Sequence, residues 1–224
     1  MNDLKLEIAC FNLESALIAQ QGGADRIELC DGFDLGGITP AYNTFELARK
    51  DISVDLFVMI RPRGGNFVYS DVEFEQMKND VFRFKEMNAD GFVFGLLNDD
   101  GSIDSSRNKE LITAAGTLPC TFHRAFDAAN GLEKTLEDVI DCGFRCILTS
   151  GQKKSALEGI DQLDELITLA KERIEIMPGG GVRSSNIQLL IEKARTSFYH
   201  SSAIVKGDIA DLQEIRLLKK LLKD

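Results

Sequence analysis

Thr121-Phe122-His123-Arg124-Ala125-Phe126-Asp127 is a short apolar segment that ends abruptly in an imidazole, a guanidinium and, three residues on, a carboxylate. Charged groups at the end of a buried segment need partners or water, so the run sits badly inside a helix or a strand. It suits the mouth of a parallel barrel, where strand ends deliver polar side chains to a shared pocket.

Working outward from it, similar apolar runs of four to seven residues recur along the chain. They are Leu6 to Cys10, Arg26 to Cys30, Val54 to Ile60, Gly91 to Gly95, Cys120 to His123, Cys146 to Thr149, Ile174 to Met177 and Phe198 to Ser201. Between them lie stretches of helical spacing, such as Phe74, Met77, Val81 and Phe84. Helix starts are signalled by Thr39 before Pro40, by the capping box Ser70 to Glu73, and by Ser184 ahead of Ile187 and Leu190. Gly23, Asn88 and Gly143 stand where helices should end in a left-handed residue before strands 2, 4 and 6. Eight strand–helix units in 224 residues predict an α/β protein, a single (β/α)8 TIM-like barrel. The barrel is expected over about residues 5–203, with a closing helix over about 211–223, and 1–224 read as one domain because no linker divides the chain.

Barrel strands send alternate residues outward to the helices, and that outer face must be apolar. Val54, Leu56, Val58 and Ile60 then face out, leaving Phe57, Met59 and Arg61 inside. The same parity turns Glu28 and Cys30 inward, with Thr121 and His123, and Glu7 and Ala9. It turns Cys10 outward.

Asp plus Glu outnumber Lys plus Arg by 36 to 26, a formal charge of −10, which argues against nucleic-acid and anionic-membrane partners. The start, Met1-Asn2-Asp3-Leu4-Lys5, has no basic segment leading an apolar run, so no secretory leader or membrane span is expected. Five cysteines without scaffold spacing read as reduced thiols in a cytoplasmic protein.

The predicted strand ends bring together Glu7, Glu28, Arg61, Arg63, His123, Arg124, Asp127 and His200. Acids, histidines and arginines at one mouth make a pocket for a small anion, with His123, Glu28, Glu7 and Asp127 as the catalytic candidates. The competing reading is a structural ion network, because buried Glu must be paired and Arg is its usual partner. Gly179, Gly180 and Gly181 after strand 7 offer bare N–H groups where barrels often hold phosphate, and His200 and Ser202 could add to them. Thr149 and Ser150 after strand 6 form a similar donor cluster. No zinc signature is present, whereas thiolates would suit Cu(I).

Several blocks in order resemble the CutC family. They include Gly23 to Cys30, Gly36-Gly37-Ile38-Thr39-Pro40, Ile60 to Ser70, Thr121 to Asp127, Leu148 to Gly151 and His200 to Ala203. The resemblance runs from about Glu7 to Ala203. It implies a TIM-like barrel, a cytoplasmic homo-oligomer (dimer or tetramer) and a role in copper homeostasis, with Cu(I) held by cysteines at the ends of strands 1 and 2. The second position matches Cys30; the first matches Ala9, with Cys10 one place along. The alternative function is an enzyme or sensor for a small anionic, phosphorylated metabolite, with His123 as acid/base. A barrel kept only as an oligomeric scaffold is the third.

Overall fold

Period-two strands with two dry faces close on themselves only if helices cover the outside, and the chain builds that arrangement unit by unit. The computed structural model describes residues 4–223; Met1 to Asp3, part of the start read above, and Asp224 lie outside the described residues. The strands are β1 (Lys5–Cys10), β2 (Arg26–Leu29), β3 (Asp55–Met59), β4 (Gly91–Phe94), β5 (Cys120–Phe122), β6 (Cys146–Thr149), β7 (Glu175–Pro178) and β8 (Phe198–Ser201). The helices are α1 (Leu13–Gly22), α2 (Tyr42–Asp51), α3 (Asp71–Glu86), α4 (Ser105–Ala115), α5 (Leu132–Cys142), α6 (Ile160–Ala170), α7 (Ile187–Lys193) and α8 (Leu212–Leu221). The strands pair in parallel in the order β7-β6-β5-β4-β3-β2-β1-β8, a nearly closed barrel. At the seam between β7 and β8, Ser197 N donates to Glu175 Oε1 at 2.9 Å, so a side chain bridges where the ladder does not.

Parity holds around the barrel. Leu6, Ile8 and Cys10, Ile27 and Leu29, Leu56, Val58 and Ile60, and Cys120 and Phe122 all pack into the core between strands and helices. Inside lie two small apolar clusters, Cys30 with Phe57, Met59 and Val93, and Cys146 with Leu148 and Met177. Gly91 is fixed by this interior, since a methyl there would sit 2.4 Å from Phe57 Cζ.

Helix ends follow the local chemistry with two exceptions. Ser70 and Glu73 form the expected capping box at α3, and Gly23 and Gly143 end α1 and α5 at φ of 92° and 98°. Asn88, after α3, has a φ of 65°. Thr39, however, does not cap α2, which starts after Ala41; its Oγ1 instead accepts from Arg61 N at 2.8 Å. Ser184 does not cap α7 either, because its N–H and hydroxyl are both taken by the Glu214 carboxylate at 2.7 Å. Among the described residues, no helix is long and apolar enough to cross a membrane.

Candidate functional site

The carboxyl ends of the strands surround a cavity of about 230 Å³. Of the residues singled out in the sequence, Glu28, Cys30, Arg61, His123 and Arg124 line it, joined from the last two units by Gly180, Gly181, His200 and Ser202. Glu7, Cys10, Arg63, Asp127, Thr149, Ser150 and Gly179 do not.

Glu7 lies beneath the cavity, fully buried, in an ionic arrangement that sequence reading only half anticipated. Arg26, its neighbour in register on β2, donates from Nε to Glu7 Oε2. The Arg26 guanidinium is sandwiched between the rings of Phe57 and Phe198, 4.3 Å from each centroid. Its inward placement follows from the parity that brings Glu28 inside. On the other side, His200 Nδ1 lies 2.7 Å from Glu7 Oε1, and His200 Nε2 lies 3.9 Å from Glu28 Oε2. Burial opposes charge on Glu7, yet Arg26 and His200 together hold its carboxyl at about 2. Burial likewise opposes charge on His200, but the Glu7 hydrogen bond and the Glu28 charge raise its pKa.

Glu28 is the less satisfied acid. Burial pushes its carboxyl up to about 7 against the pull of His200, and the charge on Glu7 adds to the rise. Its Oε1 is buried with no hydrogen-bond partner in the protein, while Oε2 accepts from Cys30 Sγ at 3.6 Å. His123 is also buried, and burial together with the positive charge of Arg61 lowers its pKa to about 3. A neutral imidazole carries one N–H. Ala125 N donates to Nδ1 at 3.2 Å, so the proton sits on Nε2, which has no partner in the protein. Two unpartnered polar atoms of opposite hydrogen-bonding sense, Glu28 Oε1 and His123 Nε2, therefore belong to residues of one cavity.

Arg61 is placed by loops rather than by acids. Its Nη1 donates to Leu35 O and Gly37 O, and its Nη2 to Gly65 O, all at 2.9 Å. Its charge is thus fixed at the wall without a carboxylate partner. Arg63 is drawn away to Glu73 and to Val68 O, so it buttresses α3 instead of the pocket. Asp127 is a hub outside the cavity. Its Oδ1 accepts from Thr149 Oγ1 and from Ser150 N and Gln152 N at 3.0 Å each, and its Oδ2 accepts from Arg124 Nε at 2.7 Å. Thr149 and Ser150 are consequently spent on Asp127, and Arg124 is held in place by it.

The glycine run gives the site its anion-shaped wall. Gly180 and Gly181 adopt φ of 94° and 78°, and a side chain on Gly180 would strike the Arg124 guanidinium at 3.1 Å. Among the described residues, the N–H groups of Gly180 and Gly181 have no acceptor within the protein. Arg183 lies two residues beyond and also lines the cavity. Its Nη1 donates to Ser201 Oγ at 3.0 Å, and its Nη2 to Ser202 Oγ at 3.2 Å. Ser202 is already an acceptor there, which leaves its own proton free to donate. Arg183 escaped sequence reading because it follows a loop, where strand parity gives no direction.

The two thiols proposed for copper separate. Cys30 Sγ faces the cavity, whereas Cys10 packs into the outer core behind β1. Cys30 shares its inner apolar cluster with Met59, and a methyl on Gly37 would lie 3.6 Å from both Cys30 Sγ and Met59 Cε. Burial pushes the thiol pKa values of Cys10 and Cys30 well above the usual range. All five cysteines are free. Among the described residues, no group of three His, Cys, Asp or Glu side chains could hold a metal ion.

A (β/α)8 barrel with an arginine- and glycine-walled pocket at the carboxyl ends of its strands is the class that fold and site define. The CutC family model matches residues 4–205, and the chain belongs to that family. The human "Copper homeostasis protein cutC homolog" is 45% identical over 202 residues, covering 90% of this chain and 74% of the human protein. A Xanthomonas campestris family protein CutC is 44% identical over 205 residues, covering 92% and 85% of the two chains. A crystal structure of a Streptococcus agalactiae CutC superimposes with a TM-score of 0.83 at 33% identity, over 89% of this chain and 98% of that one.

Proposed function

We propose that this chain binds a small phosphorylated metabolite at the barrel mouth and exchanges a proton with it through Glu28. The observation that supports the reading is that Gly180 and Gly181, whose N–H groups have no acceptor among the described residues, line the cavity together with Arg124 and Arg183. Arg61 supports the anion through its charge rather than through hydrogen bonds. Glu28, raised to about 7, can give or take a proton near neutrality. His123, expected as the acid/base, serves in this reading as a neutral donor to a polar atom of the ligand. His200, fixed by Glu7, stabilises the Glu28 carboxylate when it forms.

Phosphate should raise the melting temperature of the wild type by linkage, and should do so less in Arg124→Gln. No shift at tens of millimolar phosphate would refute the phosphate subsite.

A second reading rests on the names of the relatives, a role in copper homeostasis through Cu(I) bound at the mouth. Cys10 and Cys30 do not form a common donor set, so the reading narrows to Cys30 with the thioether of Met59. It predicts Cu(I) uptake under reducing conditions that is lost in Cys30→Ser and kept in Cys10→Ser; uptake unchanged in Cys30→Ser would end it. For the assembly we propose a cytoplasmic homo-oligomer that uses neither nucleic acid nor membrane. Light scattering that finds monomers alone would overturn the oligomer.

A further inference from the structure

The cavity at the barrel mouth has two unlike sides. The loops after β5, β7 and β8 supply Arg124, Gly180, Gly181, Arg183 and Ser202, the polar groups suited to a phosphate. The end of β3 and the loops after β1, β2 and β3, which adjoin one another in the strand order, supply Phe11, Phe33, Met59 and Phe67. The phosphate reading uses none of these four.

The apolar side is open to a ligand. Phe33 is 40% exposed, and Phe11 and Phe67 are half-buried. Three partly exposed rings around one opening form a patch rather than a scatter of surface residues. Phe11 and Phe33 meet edge to face with centroids 5.1 Å apart. Phe11, Cys30 and Met59 converge behind them, since a methyl on Gly37 would lie 3.6 Å from Cys30 Sγ and Met59 Cε and 3.7 Å from Phe11 Cε1. Ring edges and a thioether are favourable neighbours for an aromatic ring. Arg61, the cation on this side, lies over the Phe67 ring at 4.8 Å, and backbone carbonyls hold its Nη1 and Nη2.

Size limits what can fill both sides at once. The cavity measures about 230 Å³. A cavity of about 150 Å³ lodges a benzene ring, so the mouth has room for one ring and one phosphate group.

We infer that the ligand is a phosphate monoester carrying a single aromatic ring, an inference that rests on the phosphate reading above. The ring packs against Phe11, Phe33, Met59 and Phe67, and the phosphate lies on the side of Arg124, Gly180, Gly181 and Arg183.

Calorimetric titration of benzyl phosphate, cyclohexylmethyl phosphate and inorganic phosphate into the full chain tests it. Benzyl phosphate should bind about tenfold or more tighter than inorganic phosphate, as burial of a phenyl ring requires. It should also bind several-fold tighter than cyclohexylmethyl phosphate, because ring–ring contacts add to area burial. Phe33→Ser alters a partly exposed side chain and should reduce the advantage of benzyl over inorganic phosphate several-fold. Phe82→Ser, 50% exposed on α3 and outside the cavity, should leave that advantage unchanged. Equal binding of benzyl and inorganic phosphate would overturn the ring subsite and leave the phosphate reading standing, whereas binding of neither would overturn both. Cyclohexylmethyl phosphate binding as tightly as benzyl phosphate, or an advantage untouched by Phe33→Ser, would also overturn the proposal.

Discussion

Replacing Glu28 with Gln tests the charge logic of the barrel mouth. Burial raises the Glu28 carboxyl from 4.5 to about 7, with His200 opposing and Glu7 adding to the rise. An unfolded chain releases that proton near the ordinary value, so in the interval between the two values the folded state binds more protons than the unfolded one. Stability from this group is complete below about 4.5 and is lost as pH rises through about 7. At 1.36 kcal/mol per pH unit the whole swing is about 3 kcal/mol. His123 acts in the opposite sense. Its lowered value, about 3, contributes stability that is present above the ordinary 6.5 and lost as pH falls toward 3. The wild-type curve alone therefore blends these slopes with that of His200, part of whose raised value comes from Glu28, and the difference between wild type and Glu28→Gln removes the His123 part. Urea unfolding followed by circular dichroism, at about pH 5 and about pH 8, gives that difference. Wild type should lose about 2–3 kcal/mol relative to Glu28→Gln over this interval. A difference that does not change with pH would refute the raised carboxyl, and with it the assignment of Glu28 as the proton-exchanging group.

Other substitutions address the supports of the site. Asp127→Ala strips the acceptor from Thr149, Ser150 and Gln152; urea unfolding should show a loss of about 3 kcal/mol, and the phosphate-induced rise in melting temperature should shrink because Arg124 loses its anchor. Arg26→Met leaves the buried Glu7 carboxylate without its guanidinium and should cost about 3–5 kcal/mol in the same assay, most of it recovered when Glu7→Gln is added. Gly91→Ala drives a methyl into the Phe57 ring and should cost about 1–3 kcal/mol, with Phe57→Leu in the same chain relieving part of it.

Strand parity carried further than residue chemistry did. Because a one-residue step reverses the face of a strand, the alternation in Leu6 to Cys10 already separated Glu7 from Cys10, and the structure keeps them on opposite faces. Arg26 was legible by the same rule, two residues before Glu28. What could not be read was mutual satisfaction. Asp127, Thr149 and Ser150 each have the right chemistry for a pocket, yet they spend their hydrogen bonds on one another, because the loop after β6 folds back over the 3₁₀ turn Arg124–Ala128. Arg63 was lost to α3 in the same way. Thr39 and Ser184 were plausible caps whose hydroxyls found stronger claims elsewhere. Loop conformation decides such partnerships, and no period in the sequence encodes it.

The placement of Arg61 ties these results together. Three backbone carbonyls accept from its Nη1 and Nη2 without neutralising its charge, while its Nε is buried with no partner in the protein. That charge, beside a buried imidazole, is one of the two reasons His123 stays neutral. In the proposed function the same arginine both favours an anion at the mouth and keeps His123 neutral, so the proton exchange proposed there falls to Glu28. Net charge works against anion binding only at long range, since exposed charges are screened beyond about 8 Å at physiological salt. At the mouth Arg61 and Arg183 have no carboxylate partner among the described residues, while Arg124 is paired with Asp127. An acidic chain can therefore present arginines at a pocket, and among the described residues the carboxyl lining that pocket is Glu28, which burial raises to about 7.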